Sequence, residues 1–163
     1  MAYIDRDGGE HRVDLCDAAA VPFEGCRPVR SFPSWKGQRN YPGLWWAATL
    51  GRHVGYESWL ERDHAMLLDF DQQVTAFASQ PMWLFWTSGG RRRSHAPDWF
   101  ARKADGTGLV VDCRPLNRIK PRDAEAFAAT GWRPTTWCNS DLCMVPGHGA
   151  AIAQLSEWRS SLT

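Results

Sequence analysis

At 163 residues the chain can bury a real core and suits one domain. A hydrophobic fraction of 44% and a charged fraction of 23% are ordinary for a soluble protein. A formal net charge of +1 supplies no global field toward nucleic acid, so any such binding must come from local clusters. No apolar run reaches the length of a signal peptide or a membrane span, which predicts a cytoplasmic protein without membrane contact. Ten tryptophans are unusual at this length and imply large contact surfaces to bury or present.

Residues 1–29 mix charge, Gly, Pro and small residues without a sustained period, which predicts a flexible N-terminal arm on a single domain spanning 30–163. Residues 30–46 interleave Arg30, Lys36 and Arg39 with Phe32, Trp35, Tyr41, Trp45 and Trp46, broken by Pro33 and Pro42. Basic residues beside aromatics can grip phosphates and stack on bases; an irregular segment packing its rings on the domain is the plainer reading, and the favoured one.

Residues 55–71 form the best helix candidate. Leu60, Leu67 and Leu68 recur at helical spacing, and Arg62, Asp63 and Asp69 supply a polar side. Glu61 lies in line with Ala65 and Leu68, so it borders the apolar face. The stretch "SWLE" also fits an N-terminal capping box, in which Glu61 only accepts a local amide.

Strands are predicted at 74–79, 82–86, 91–100 and 109–114, separated by Pro81, Gly89-Gly90 and Asp105-Gly106, which together read as an antiparallel meander. Arg91, Arg92 and Arg93 beside the Gly89-Gly90 turn can hold a DNA backbone or form a solvated hairpin tip. Beyond Pro115 the chain turns basic, with Arg118 and Lys120, then reads as a helix over 122–130, a strand near 133–138 and a closing helix over 150–162. The five cysteines are an odd count without secretory context and are read as free thiols. Cys138, Cys143 and His148 could be read as three zinc ligands, but their spacing is loose and no fourth ligand is evident nearby, so free cysteines are preferred.

If 99–103 and 109–113 pair about the "ADGTG" loop, opposed residues sum to about 210 to 212, which sets Asp98 against Asp112, Cys113 or Arg114. Alternation puts Asp112 and Arg114 on one face. Two such carboxylates repel unless a proton or cation intervenes, and hard oxygen ligands suit Mg²⁺ or Mn²⁺. A helix packed beside this sheet would add Glu61 as a third acid. Read singly, Asp98 is also a turn former after Pro97, and Asp112 with Arg114 a surface ion pair.

The order of Glu61 on a helix, Gln80-Pro81 on a strand, "APDWF" with Asp98 and "VVDCRP" with Asp112 resembles the N-terminal catalytic domain of the TnsA family, the endonuclease subunits of heteromeric cut-and-paste transposases. The resemblance implies an α/β fold with a restriction-endonuclease-like core, a mixed and mostly antiparallel central sheet flanked by helices. It also implies Mg²⁺ or Mn²⁺ on Asp98, Asp112 and Glu61, with Arg114 standing where the superfamily motif has lysine. Arginine stays charged and cannot act as a base. DNA cleavage at transposon 5′ ends follows from the resemblance, with double-stranded DNA, a transposase subunit and a regulatory ATPase as partners and homodimerisation left open. Residues past Pro121 are expected to be too few for the winged-helix domain of larger members. Two other readings stand beside it: a nuclease-fold DNA- or partner-binding subunit of little or no activity, and a stand-alone restriction or repair nuclease.

Overall fold

The computed structural model describes residues 1–113, apart from Cys16, Pro33 and Arg39. The expectations for Arg39, Arg114, Arg118, Lys120, Cys138, Cys143, His148, the helices at 122–130 and 150–162 and the strand near 133–138 lie outside the described residues.

Residues 1–29 correct the expectation of a flexible arm. Strands β1 (Ala2–Ile4) and β2 (Glu10–Arg12) pair antiparallel, and 3-10 turns at Ala18–Ala20 and Phe23–Gly25 follow. Phe23 is buried with its ring edge-on to Tyr3 and to Phe100, both at 5.5 Å. Full burial of such a side chain is worth about 1.5–3 kcal/mol, enough to dock the segment. Its anchors Val21, Phe23 and Cys26 sit on short turns with no regular period, so no pattern announced them. Burial also lifts the Cys26 thiol to about 11, aided by Glu24 and Asp5, which leaves it protonated and inert.

Strands β3 (Gly43–Ala47) and β4 (Arg52–Tyr56) form an antiparallel hairpin inside the region read as irregular. Exposure alternates along β3, with Leu44 and Trp46 outward and Trp45 and Ala47 inward. Because inward and outward residues are all apolar, the period of two does not appear in the sequence. Trp35 and Tyr41 are also exposed, so these rings do not pack inward as expected.

Helix α1 runs Trp59–Phe70, starting at Ser58 instead of at residue 55, because β4 claims the chain through Tyr56. Its apolar face buries Ala65 and Leu68. Asp69 fastens the hairpin to it: the carboxylate accepts from the Thr49 N–H (2.8 Å), the Ala48 N–H (3.0 Å) and the Trp45 indole (3.1 Å). Partial burial pushes its pKa up, but these bonds outweigh that and hold it below the ordinary 3.8.

Next come β5 (Val74–Ser79), β6 (Met82–Ser88), β7 (Arg91–His95), β8 (Trp99–Lys103) and β9 (Gly108–Val111). They do not make one meander. One sheet has the order β2-β1-β6-β7 and another β5-β8-β9, all neighbours antiparallel. The single strand expected over 91–100 breaks at Ala96-Pro97-Asp98, where Pro97 has no N–H for a ladder. Gly89 and Gly90, at φ 55° and 73°, make the tight β6–β7 turn.

The β5-β8-β9 sheet is the middle layer. Phe77, Trp99 and Val111 pack with Ala65 and Leu68 of α1, whereas Phe100 and Val110 pack with Phe23 and Met82 on the side of the four-stranded sheet. The described residues thus form a mixed α/β fold of antiparallel sheets and one α-helix. Among them, no helix is long and apolar enough to cross a membrane.

Candidate functional site

The β8–β9 ladder pairs Trp99 with Val111 and Phe100 with Val110. Continued by one step, that register opposes Asp98 to Asp112. The β5–β8 ladder pairs Ser79 with Trp99, and its next step opposes Gln80 to Asp98, an arrangement fixed by the Gln80 N–H donating to the Asp98 carbonyl at 2.9 Å. Gln80, Asp98 and Asp112 therefore make one row across the end of the middle sheet. Opposed residues of antiparallel strands lie about 4.5–5.5 Å apart, so the three belong to one locality.

Asp98 is 5% exposed, and its Oδ2 accepts from the Cys113 N–H at 2.6 Å, across the hairpin end and immediately after Asp112. Asp112 is 1% exposed. Both its oxygens meet His95 Nε2, at 2.7 and 2.8 Å, so the side chain faces the four-stranded layer from which β7 delivers His95. The same strand begins with Arg91, Arg92 and Arg93, all exposed. The basic run and the Asp112 partner are thus consecutive parts of one strand, and alternation sets Arg91, Arg93 and His95 on one face. Lys36 is likewise exposed, on the segment before β3.

Glu61 is elsewhere. It is 5% exposed on α1, the layer covering the opposite face of the middle sheet, with both oxygens engaged at the helix start. Oε2 accepts from the Glu57 N–H (2.8 Å) and Oε1 from the Ser58 hydroxyl (2.8 Å), while the Ser58 oxygen accepts from the Glu61 N–H (3.3 Å). This is the expected cap in part: the Ser58 oxygen takes the Glu61 N–H, but the amide that Glu61 accepts is that of Glu57, one residue before the cap. Among the described residues no three His, Cys, Asp or Glu side chains converge as a group that could hold a metal ion, so Glu61 does not join Asp98 and Asp112 in such a set.

Two residues with no assigned role stand out. His95 was not legible because its partner lies on a different sheet. Gln80, part of the Gln80-Pro81 pair, is 0% exposed and is the one non-glycine described residue with a positive φ, 44°. A non-glycine residue held in the left-handed region costs about 1–3 kcal/mol. Its Oε1 and Nε2 are both buried without a hydrogen-bond partner, as are the neighbouring Ser79 hydroxyl and Trp99 indole N–H. An unpaired buried amide costs a further 1–3 kcal/mol or so. Strain and unmet polarity thus fall together on one residue, next to Asp98 in the row at the sheet end.

The donor set fits a hard divalent cation. Mg²⁺ commonly takes only one or two protein carboxylates and keeps several waters, which Asp98 and Asp112 match without a third acid. No known protein family matches the chain, and no curated protein matches it either.

Proposed function

We propose that the chain is a metal-dependent DNA endonuclease subunit of a TnsA-like heteromeric transposase, cleaving phosphodiester bonds at transposon 5′ ends from a restriction-endonuclease-like core. The observation that carries this reading is the juxtaposition of buried Asp98 and Asp112 at one sheet end. Asp98 and Asp112 would hold Mg²⁺ or Mn²⁺, which when bound acidifies a water and neutralises charge on the scissile phosphate. The remaining work belongs to the chain's own side chains. Arg91, Arg92 and Arg93 offer guanidinium groups to a DNA backbone on the strand that ends at the site. The Cys113 N–H fixes the Asp98 carboxylate. Arg114 supplies positive charge for the phosphate without accepting a proton. The partners of this reading are double-stranded DNA, a transposase subunit cutting the 3′ ends and a regulatory ATPase.

The test is nicking of supercoiled plasmid in Mg²⁺ or Mn²⁺, alone and with the partner transposase. Asp98→Ala is expected to lower the rate at least about 100-fold, the scale of losing one preorganised charge-stabilising element. Equal rates in the two proteins would remove Asp98 from catalysis. A second reading, a nuclease-fold DNA- or partner-binding subunit without turnover, is favoured by His95 occupying both oxygens of Asp112. Duplex binding with no nicking under any of these conditions would select it.

A further inference from the structure

We infer that Gln80, and not Glu61, supplies the third protein oxygen of the divalent-cation site; this rests on the metal-binding part of the proposed function. The first observation is position. Gln80, Asp98 and Asp112 occupy one row across β5-β8-β9, and Gln80 is pinned there by two backbone bonds, its N–H to the Asp98 carbonyl (2.9 Å) and its carbonyl from the Val29 N–H (2.8 Å). The second is unmet valence. The Gln80 side chain is wholly buried, and neither atom of its amide has a hydrogen-bond partner. Because both atoms are unmatched, either assignment of the amide O and N leaves an unpartnered oxygen at this position.

The third observation is the state of the competing donor. Glu61 is a carboxylate and would be the stronger ligand, yet both its oxygens already accept hydrogen bonds at the start of α1, and α1 covers the other face of the sheet. An amide carbonyl is a hard, neutral oxygen donor of the kind Mg²⁺ and Mn²⁺ accept beside carboxylates. Two aspartates and one amide leave a site of charge −2, which neutralises the ion without the mutual repulsion of three carboxylates. The amide Nε2 remains to donate to a water or a phosphate oxygen at the same place.

The experiment is calorimetric titration of the full chain with Mn²⁺ alone, in wild type, Gln80→Met, Gln80→Glu, Glu61→Gln and Asp112→Asn. Gln80→Met keeps the length and removes both polar atoms; it is expected to weaken Mn²⁺ about 10- to 100-fold, the range for losing a group that tunes a metal site. Gln80→Glu restores an oxygen donor and is expected to bind Mn²⁺ at least as tightly as wild type, and Glu61→Gln to leave affinity unchanged. A purely structural role predicts the reverse order, since a buried charge is worse tolerated than a methionine. Wild-type affinity in Gln80→Met, with binding abolished in Asp112→Asn, overturns the inference and leaves the metal reading intact. Absence of Mn²⁺ binding in wild type, or wild-type affinity in Asp112→Asn, overturns both. Should Gln80→Met fail to fold, the Gln80 side-chain NH₂ resonance of wild type carries the test: it must shift on titration with Mg²⁺, and an unmoved resonance under saturating Mg²⁺ overturns the inference.

Discussion

Glu61 and Asp112 are almost equally buried carboxylates, yet the fold treats them in opposite ways. Glu61 accepts hydrogen bonds at its own helix start, from groups three and four residues away. Asp112 is satisfied by one side chain 17 residues away on another sheet, and it shares its sheet end with Asp98 and the unmatched amide of Gln80. Local backbone and hydroxyl donors form with the helix and are released only by unfolding it. A single side-chain partner on a neighbouring layer can be exchanged for a ligand by a rotamer change. The contrast teaches that burial of an acid does not mark a site; the kind of partner does.

The sharpest way to break the contrast is His95→Ala. Leaving the Asp112 carboxylate buried without its partner is expected to cost about 3 kcal/mol in urea unfolding. Mn²⁺ should then return more stability to the variant than to wild type, because the ion replaces the lost partner. A loss under half that size, with no larger Mn²⁺ effect, would mean that His95 is incidental to Asp112. Glu61→Ala sharpens the other side: the cap loss is expected to cost about 1 kcal/mol, measured the same way, with no change in Mn²⁺ affinity. A fall in affinity would return Glu61 to the metal set.

Asp69 is an intermediate case, reached over long range like Asp112 but satisfied chiefly by backbone amides like Glu61. Its pKa is depressed in the folded chain, so its contribution is present above the ordinary 3.8 and is lost as the pH falls through the lowered value. Asp69→Asn is expected to cost somewhat under 1 kcal/mol at neutral pH, since the group is partly exposed. The stability difference from wild type should shrink as acid unfolding proceeds below that pH. A pH-independent difference would show that the carboxylate's charge is not what fastens the β3–β4 hairpin.

Much of the middle of the chain was legible in one dimension. β5 fell where its β-branched and aromatic residues put it, the Gly89-Gly90 and Asp105-Gly106 turns sit where glycine is needed, and the hairpin register opposing Asp98 to Asp112 is the first of those allowed by the loop length. The Ser58 cap was legible as well, because it closes within four residues, although the amide that Glu61 accepts is that of Glu57. The β3–β4 hairpin was not, since its outward positions are Leu44 and Trp46 and give no alternation of polarity. Nor was the docking of residues 1–29, which depends on Phe23 finding Phe100.

By itself, then, the sequence determined the local elements: a capped helix, short strands, the turns between them, and two aspartates brought together across one hairpin. Each is set by contacts a few residues apart, which pattern and turn chemistry encode directly. Tertiary structure decided how the layers are assigned, and with them the chemistry of the site. It set β6 and β7 on a different sheet from β5 and β8, brought His95 onto Asp112, and left the Gln80 amide buried without a partner. The physical reason is that these outcomes depend on which apolar faces bury one another, a global competition for burial that no local period records.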